Sequence, residues 1–463
     1  MARLTRRSFT VGAAALSAAA CGTRMPSTPA SPAIVVDRPS ALVDVPVKIE
    51  LKGFPAGQPV TITATLEFAD TSRWQSRATF ATDAGGDVDL TREAPISGTY
   101  EGVAAMGLIW SAERLPGEWL PIPTGSVMQP WFVHLDATAP DGTRAQTTID
   151  RTVAGPGVTR HIVREAGVVG VLFLPPGDGP RPAVMVVSGG GGGIPEVRAA
   201  ILASHGYAAL ALGYFAVEGL PRGLVNIPLE YFENAIRRMR SQPWLGDGFL
   251  AVWGPSRGGE LALLLGATFP DVNAVSAWVP SGVIFWALGL SEPGDTRPRA
   301  AWTFRGTPLP YLQENNTSAD PPPVPESGGP VAYAPYYLSY LRDAQAVERA
   351  TIPVERMRGP IQLVSGTDDQ MWGSDVLANI AVRRLQTRGH AFPFRHLRYE
   401  GAGHLISVPY GPTTLRVISL TVQGVNHLSL SQGGTPRADA EAGIDAWRDL
   451  LQFLEDGVKR HAP

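Results

Sequence analysis

The chain has 463 residues, of which 44% are hydrophobic and 17% charged, and its formal net charge is −3 at pH 7. This length is expected to hold two or three domains, and the composition is that of a globular protein rather than a disordered one. The charge balance excludes the basic surface that nucleic-acid binding requires. A single cysteine excludes an internal disulfide, and neither a metal site nor a cofactor is expected.

Residues 1–21 are typical of an export signal rather than of a folded segment. Thr5–Thr10 resembles a twin-arginine signal, and the apolar run Val11–Ala20 is too short to span a bilayer. Ala18–Cys21 resembles a bacterial lipobox, although alanine stands at Ala18 where leucine is usual. We therefore expect export to the cell envelope with a lipid on Cys21, which would be the chain's one contact with a membrane. The alternative is an ordinary cleaved signal and a periplasmic or secreted protein.

The next segments predict a tether and a β domain. Residues 22–32 are rich in Pro, Ser and Thr, which indicates a flexible tether. Residues 33–153 contain short alternating runs separated by Gly and Pro turns, which predicts a β-sandwich. The strand candidates are Val45–Leu51, Val60–Leu66, Trp74–Thr82, Gly86–Leu90 and Trp131–Leu135. His134 is interpreted as a structural residue.

Beyond a boundary at Gly155–Gly157, residues 154–463 alternate between strand and helix patterns. This alternation predicts a doubly wound, mostly parallel α/β sheet. Strands are expected near 168–174, 183–187, 207–212, 249–253, 272–279, 361–365 and 395–399, and helices near 195–205, 228–242, 257–269, 376–386 and 439–456. An irregular stretch at about 285–351 is interpreted as a lid inserted over the site.

The segment from Ala251 to Leu264 is the most informative of the chain. An apolar run leads into Gly254-Pro255-Ser256-Arg257-Gly258, and a helix-forming run follows directly. A G-x-S-x-G pattern between a strand and a helix predicts a nucleophile elbow with Ser256 at its tip. The alternative is a glycine-rich surface loop, because such short patterns also arise by chance.

A serine nucleophile needs a base, and the base needs an orienting acid. In α/β-hydrolases these follow the serine in the order acid, then histidine. Asp369 follows the strand candidate 361–365 at the usual spacing after a glycine and is preferred to its neighbour Asp368. His404 follows the last strand candidate through a glycine turn. His427 is the nearest rival, and it is interpreted as a loop residue.

The tetrahedral oxyanion needs backbone N–H donors. We expect one from Arg257, the residue after the nucleophile, and one from the turn Ser188–Gly193, with Gly190 preferred and Gly191 next. The glycine run could instead cradle a phosphate, but no P-loop or dinucleotide motif follows it. Arg222 and the Arg257 side chain lie near the predicted mouth, where they could pair with an anionic leaving group, or could simply be surface charges.

Several further segments carry a resemblance to one family. They are Met106–Trp110, Gly191–Ala199, Leu229–Glu233, Gly258–Leu261, Ile352–Arg356, Asp368–Trp372, Gly401–His404 and Gly433–Ala438. By these segments most of residues 40–457 resembles the acyl-CoA thioesterase / bile acid-CoA:amino acid N-acyltransferase family. The resemblance implies an immunoglobulin-like β-sandwich followed by an α/β-hydrolase domain, with Ser256, Asp369 and His404 as nucleophile, acid and base.

The sequence therefore predicts a serine hydrolase that cleaves acyl thioesters through an acyl-enzyme. In the family that it resembles, the amino-acid-conjugating members use cysteine as nucleophile, so Ser256 favours water as the acceptor. The export signal favours an alternative, since coenzyme A esters are not expected outside the cell: a cell-envelope carboxylesterase acting on lipid or small esters. An acyltransferase and a non-catalytic surface binding protein are the remaining alternatives.

Overall fold

The structure is a computed structural model that describes residues 31–69, 72–117, 125–245, 248–288, 299–312, 329–422 and 425–461. The predicted signal at 1–21, the lipidation candidate Cys21 and most of the predicted tether lie outside the described residues. Within the described part of the chain, no helix combines the length and the apolar character that crossing a bilayer requires.

The first part of the chain is built almost entirely of strands. They are β1 (Ala33–Val36), β2 (Ser40–Leu42), β3 (Ile49–Lys52), β4 (Pro59–Glu67), β5 (Arg73–Ala81), β6 (Val88–Asp89), β7 (Ser97–Gly98), β8 (Glu113–Arg114), β9 (Trp131–Thr138) and β10 (Arg144–Thr152), with one short helix, α1 (Gly107–Trp110). A three-stranded sheet has the order β1-β3-β6, and a larger sheet has the order β2-β10-β9-β4-β5-β7, with β8 beside β5.

These two sheets pack face to face. Along β4 the burial alternates strictly, so Val60 and Ile62 point inward while Thr61 points outward. This is the period of two that one buried face imposes on a strand. Ile62 of the larger sheet and Leu51 of the smaller sheet belong to the same buried core, as a β-sandwich requires.

The second part of the chain alternates strands and helices. Its elements are β11 (Thr159–Glu165), β12 (Val168–Leu174), β13 (Ala183–Val187), α2 (Glu196–Ser204), β14 (Ala208–Gly213), β15 (Ile227–Pro228), α3 (Leu229–Arg240), β16 (Leu250–Pro255), α4 (Arg257–Thr268), β17 (Ala274–Trp278), β18 (Trp302–Phe304), β19 (Thr307–Pro308), α5 (Ala334–Ser339), α6 (Ala344–Ala350), β20 (Ile361–Gly366), α7 (Ser374–Thr387), β21 (Phe394–Tyr399), β22 (Val417–Val422), β23 (Val425–Ser431) and α8 (Pro436–His461).

Eight of these strands form one sheet of the α/β-hydrolase type, with the order β11-β12-β14-β13-β16-β17-β20-β21. The pairs β11–β12 and β12–β14 are antiparallel and the remaining pairs are parallel. Side chains from α3, α4 and α7 pack on one face of the sheet, and side chains from α2 and α8 pack on the other. The parallel strands are therefore buried on both faces, and their carboxyl ends form one edge where loops can carry functional groups.

Two expectations are corrected here. The stretch 285–351 is not wholly irregular, because its described residues include β18, β19, α5 and α6. Four tyrosines recur there with helical spacing, which indicates a helix, but the many nearby prolines favour an irregular segment. The tyrosines are Tyr333, Tyr336, Tyr337 and Tyr340.

His427 does not lie in a loop, since β22 and β23 pair as an antiparallel hairpin that includes it. The alternating sequence Val425–Ser431 is the pattern that predicts such a strand.

Candidate active site

Ser256 lies in a sharp turn between β16 and α4. Its backbone has φ 56° and ψ −125°, and residues other than glycine rarely adopt a positive φ. The Ser256 N–H donates to the carbonyl of Trp278 on the neighbouring strand at 2.7 Å, which holds the strained turn in place. Backbone strain of this kind is typical of a nucleophile elbow, which presents the hydroxyl at the edge of the sheet.

Two glycines let this turn pack against its surroundings. A Cβ atom on Gly254 would lie 2.4 Å from the carbonyl oxygen of Gly258, and a Cβ atom on Gly258 would lie 2.4 Å from that of Ser188. Both distances are far below van der Waals contact. The G-x-S-x-G spacing is therefore a packing requirement, because the elbow, its helix and the turn after β13 approach one another at backbone distance.

His404 comes to the elbow from the loop that follows β21. Its Nε2 atom lies 2.9 Å from Ser256 Oγ, and its Nδ1 atom lies 2.8 Å from Asp369 Oδ2. The carboxylate can only accept at Nδ1, so that nitrogen carries the proton and Nε2 is left to accept from the serine hydroxyl. The structure thus brings Ser256, His404 and Asp369 into one hydrogen-bonded chain.

Asp369 is fully buried in the turn after β20 and accepts several hydrogen bonds. The N–H groups of Met371, Trp372 and Ser374 donate to its carboxylate at 2.9, 3.2 and 3.2 Å. Burial alone would raise the pKa of Asp369, but the adjacent His404 and these hydrogen bonds outweigh it, so the pKa lies below its ordinary value. The residue is therefore an anion at neutral pH.

The neighbouring Asp368 has a different environment. Its carboxylate accepts from the N–H of Gly434 at 2.7 Å and from the side-chain amide of Gln370 at 3.0 Å. These contacts connect the turn after β20 to the segment before α8. The structure places Asp369, rather than Asp368, beside the imidazole.

Backbone N–H groups that have no backbone acceptor lie beside the serine. Gly190, Gly191 and Arg257 donate to no other backbone group among the described residues, whereas Gly192 and Gly193 donate to the carbonyls of Gly189 and Phe215, both at 3.1 Å. A Cβ atom on Gly190 would lie 3.5 Å from Arg257 Cγ, so the glycine turn and the elbow are in contact. This arrangement offers donors for a developing oxyanion at the turn and at the start of α4.

The Arg257 side chain is not a mouth or surface charge, and that interpretation is corrected. It is 3% exposed, it donates to Glu260 Oε2 at 2.8 Å, and it donates to the carbonyls of Phe285 and Trp286, each at 3.1 Å. The reason is the i,i+3 spacing on α4, which places a carboxylate beside it below the surface. Arg222 lies exposed in the loop before β15.

Glu260 was not recognised from the sequence. It is completely buried and also accepts from Trp302 Nε1 at 2.8 Å and from the Phe285 N–H at 3.3 Å. Burial raises the pKa of Glu260, although the Arg257 guanidinium opposes that rise. The charged pair therefore links the helix that follows the nucleophile to Phe285, Trp286 and Trp302.

An aromatic cluster adjoins the histidine, and it too was missed. Trp372 lies edge-on to His404 with ring centroids 6.0 Å apart, and its Nε1 donates to the Val279 carbonyl at 3.1 Å. Tyr337 packs against Trp372 and stacks on Trp286 at 5.1 Å. Trp372 therefore gives the imidazole an aromatic neighbour, and Tyr337 and Trp286 pack behind it.

Two family models match the chain. The model described as Acyl-CoA thioester hydrolase/BAAT N-terminal region matches residues 44–165, and the model described as BAAT / Acyl-CoA thioester hydrolase C terminal matches residues 227–460. Together they cover more than half of the sequence and fall on the β-sandwich and on the α/β sheet in turn.

Curated relatives match along nearly the whole chain. A peroxisomal succinyl-coenzyme A thioesterase of Mus musculus is 32% identical over 422 residues, which cover 89% of this chain and 93% of the relative. The mitochondrial acyl-coenzyme A thioesterase 2 of Homo sapiens is 32% identical over 444 residues, covering 95% and 86%. An acyl-coenzyme A amino acid N-acyltransferase 2 of Mus musculus is 33% identical over 426 residues, covering 90% and 95%.

Proposed function

The chain belongs to the acyl-CoA thioester hydrolase/BAAT family, as its sequence segments predicted, and from this premise we propose that it hydrolyses acyl thioesters with Ser256 as nucleophile. It is a hydrolase acting on thioester or ester bonds. The observation that carries the proposal is the continuous hydrogen-bonded chain from Ser256 Oγ through His404 to Asp369, with distances of 2.9 and 2.8 Å. This is the geometry that a serine, its base and the orienting acid need.

In the first half-reaction His404 Nε2 takes the hydroxyl proton as Ser256 Oγ forms a bond to the acyl carbon. The carbonyl π electrons move onto oxygen, and the N–H groups of Arg257 and Gly190, with Gly191 as the neighbouring candidate, hold the oxyanion. The tetrahedral intermediate collapses, the bond to the leaving thiolate breaks, and His404 returns its proton to the sulfur. The products are a free thiol and an acyl ester on the serine.

In the second half-reaction His404 takes a proton from water, whose oxygen attacks the ester carbon. The bond to Ser256 Oγ then breaks, the serine recovers its proton from the histidine, and the carboxylic acid leaves. Asp369 remains ionised throughout and stabilises the imidazolium that forms in each half, in keeping with its lowered pKa.

The N-terminal sequence supports a second candidate, in which the same residues act on lipid or small esters in the cell envelope. Thr5–Thr10 and Cys21 are the features that favour export and lipid anchoring. A Cys21→Ser variant that fractionates with membranes as fully as the wild type would contradict the anchor.

We further propose that the β-sandwich, taken as residues 33–153, is immunoglobulin-like and that the hydrolase domain comprises residues 154–463. Within the hydrolase domain, residues from about 285 to 351 are proposed to act as a lid. Arg222, exposed at the surface, is proposed to meet an anionic part of the substrate.

The test is a panel of acyl-CoA thioesters and aryl esters given to the full-length protein. We expect thioester turnover, and the Ser256→Ala variant should lose on the order of 10⁴-fold or more in kcat. Ser241→Ala removes an exposed hydroxyl at the end of α3 and is the matched control. Preference for simple esters would favour the carboxylesterase. Equal activity of wild type and Ser256→Ala would contradict both functions.

A further inference from the structure

A buried carboxylate lies behind the loop that carries His404. Asp439, in the first turn of α8, has a fully buried side chain. Its Oδ1 atom accepts from the Gly403 N–H at 2.6 Å, and its Oδ2 atom accepts from Arg416 Nη1 at 2.7 Å. Asp439 therefore contacts the backbone one residue before His404.

Arg416 extends this contact to the turn between β23 and α8. Its second guanidinium nitrogen donates to the carbonyls of Gly433 and Gly434. A Cβ atom on Gly434 would lie 2.2 Å from the Gly403 nitrogen, and the His404 N–H donates to the Gln432 carbonyl at 2.8 Å. The two backbones are thus packed at contact distance, and the charged pair spans both of them.

The segment between His404 and Arg416 is anchored on the first domain. The Thr413 N–H donates to the Trp110 carbonyl at 3.0 Å, and the Thr414 hydroxyl donates to the Ala112 carbonyl at 2.5 Å. Trp110 ends α1, which packs within the β-sandwich core. The loop that presents the histidine is therefore held at its base by Asp439 and at its far end by the sandwich.

We propose that Asp439 and Arg416 are positioning residues that fix the Gly403–His404 backbone and thereby set the distance from His404 Nε2 to Ser256 Oγ. The inference rests on the proposed function and deepens it. Neither residue touches the reacting atoms. They act through the loop, in the way that supporting hydrogen bonds orient a catalytic group on a rigid backbone.

The environment of Asp439 shifts its titration. Burial, with a smaller contribution from the charge of Asp369, raises the pKa of Asp439 to about 6, although the Gly403 N–H and Arg416 oppose the rise. Holding this carboxylate as an anion at pH 7.5 therefore costs stability.

Asp439→Asn tests the proposal with little change in side-chain volume. The asparagine has one acceptor oxygen for two donors, Arg416 Nη1 and the Gly403 N–H, so its NH₂ group must face one of them and that contact is lost. With p-nitrophenyl acetate at pH 7.5 we expect kcat to fall 10- to 100-fold while KM stays within twofold, because misplacing a catalytic group affects the chemical step. The rate at which a fluorophosphonate labels Ser256 should fall in parallel.

Asp449→Asn is the matched control. Asp449 lies on the same helix and pairs with Arg395 at 2.8 Å, far along α8 from the histidine loop, and its loss should leave both rates within twofold of the wild type. Arg416→Met and Arg416→Lys provide a second route. The methionine variant should repeat the loss in kcat, and the lysine variant, which can still donate to Asp439, should recover part of it.

Wild-type kcat in both Asp439→Asn and Arg416→Met, together with an inactive Ser256→Ala, would overturn the positioning role and leave the proposed function standing. Full activity of Ser256→Ala would instead overturn the proposed function. A variant with a lower melting temperature and a changed KM, but with the wild-type kcat, would show a structural role only. That result would also contradict the inference.

Discussion

Removing the charge of Glu260 should destabilise the protein strongly. Glu260→Gln leaves the Arg257 guanidinium 3% exposed and without its counter-ion. The glutamine has one oxygen for three donors, Arg257 Nη1, Trp302 Nε1 and the Phe285 N–H, so its NH₂ group must face one of them. Breaking one partner out of a buried ion pair costs about 3–5 kcal/mol, and we expect a loss in this range.

The assay is equilibrium denaturation followed by far-ultraviolet circular dichroism. Glu441→Gln is the control, because its pair with Arg437 is exposed and should contribute less than about 1 kcal/mol. The double variant Arg257→Met/Glu260→Gln should recover part of the loss, with a coupling energy of about 1–3 kcal/mol, since the unpaired charge is gone. A loss below about 1 kcal/mol for Glu260→Gln, or strict additivity in the double variant, would refute the reasoning.

Three further outcomes are expected. Burial raises the pKa of Asp439 from 3.8 to about 6, so the folded protein binds this proton more tightly than the unfolded chain does. The stabilisation from this proton binding is complete below pH 4 and is lost as pH rises through 6. Wild-type unfolding free energy should therefore fall by about 3 kcal/mol more over this interval than that of Asp439→Asn, and parallel curves would contradict the assignment. Asp369→Asn should lower kcat by on the order of 10⁴-fold with little change in KM, since the amide favours the wrong imidazole tautomer; steady-state kinetics that show less than a tenfold loss would exclude Asp369 as the orienting acid. Gly258→Ala should destabilise by at least about 1–3 kcal/mol, because its Cβ atom would lie 2.4 Å from the Ser188 carbonyl, whereas Gly191→Ala, with no atom within 4 Å, should melt like the wild type.

The family and the order of the main elements could be predicted from the sequence, because they depend on local signals. The apolar run, the G-x-S-x-G turn and the helix-forming run around Ser256 are adjacent in the sequence. The family prediction is confirmed by models matching residues 44–165 and 227–460. The glycine turn before His404 and the spacing of Asp369 after Gly366 come from the same kind of local rule.

The residues that were missed depend on contacts between distant segments. In the sequence, Glu260 has the pattern of an ordinary surface acid on a helix. Its burial becomes apparent only in the folded structure, where Trp302, 42 residues later, donates to it. Arg257 was misjudged for the same reason, since an arginine is usually exposed. Asp439 gives no signal in the sequence, because its partner Gly403 lies 36 residues earlier in the chain.

The most direct test of the central claim is the site of covalent labelling. The full-length protein would be treated with a fluorophosphonate, digested, and examined by mass spectrometry alongside its Ser256→Ala and His404→Ala variants. The hydrogen-bonded chain from Ser256 to His404 predicts a single adduct on Ser256 in the wild type, none in Ser256→Ala, and labelling slowed by orders of magnitude in His404→Ala. An unlabelled Ser256 in a protein that still turns over acyl esters, or labelling as fast without the imidazole as with it, would contradict the account.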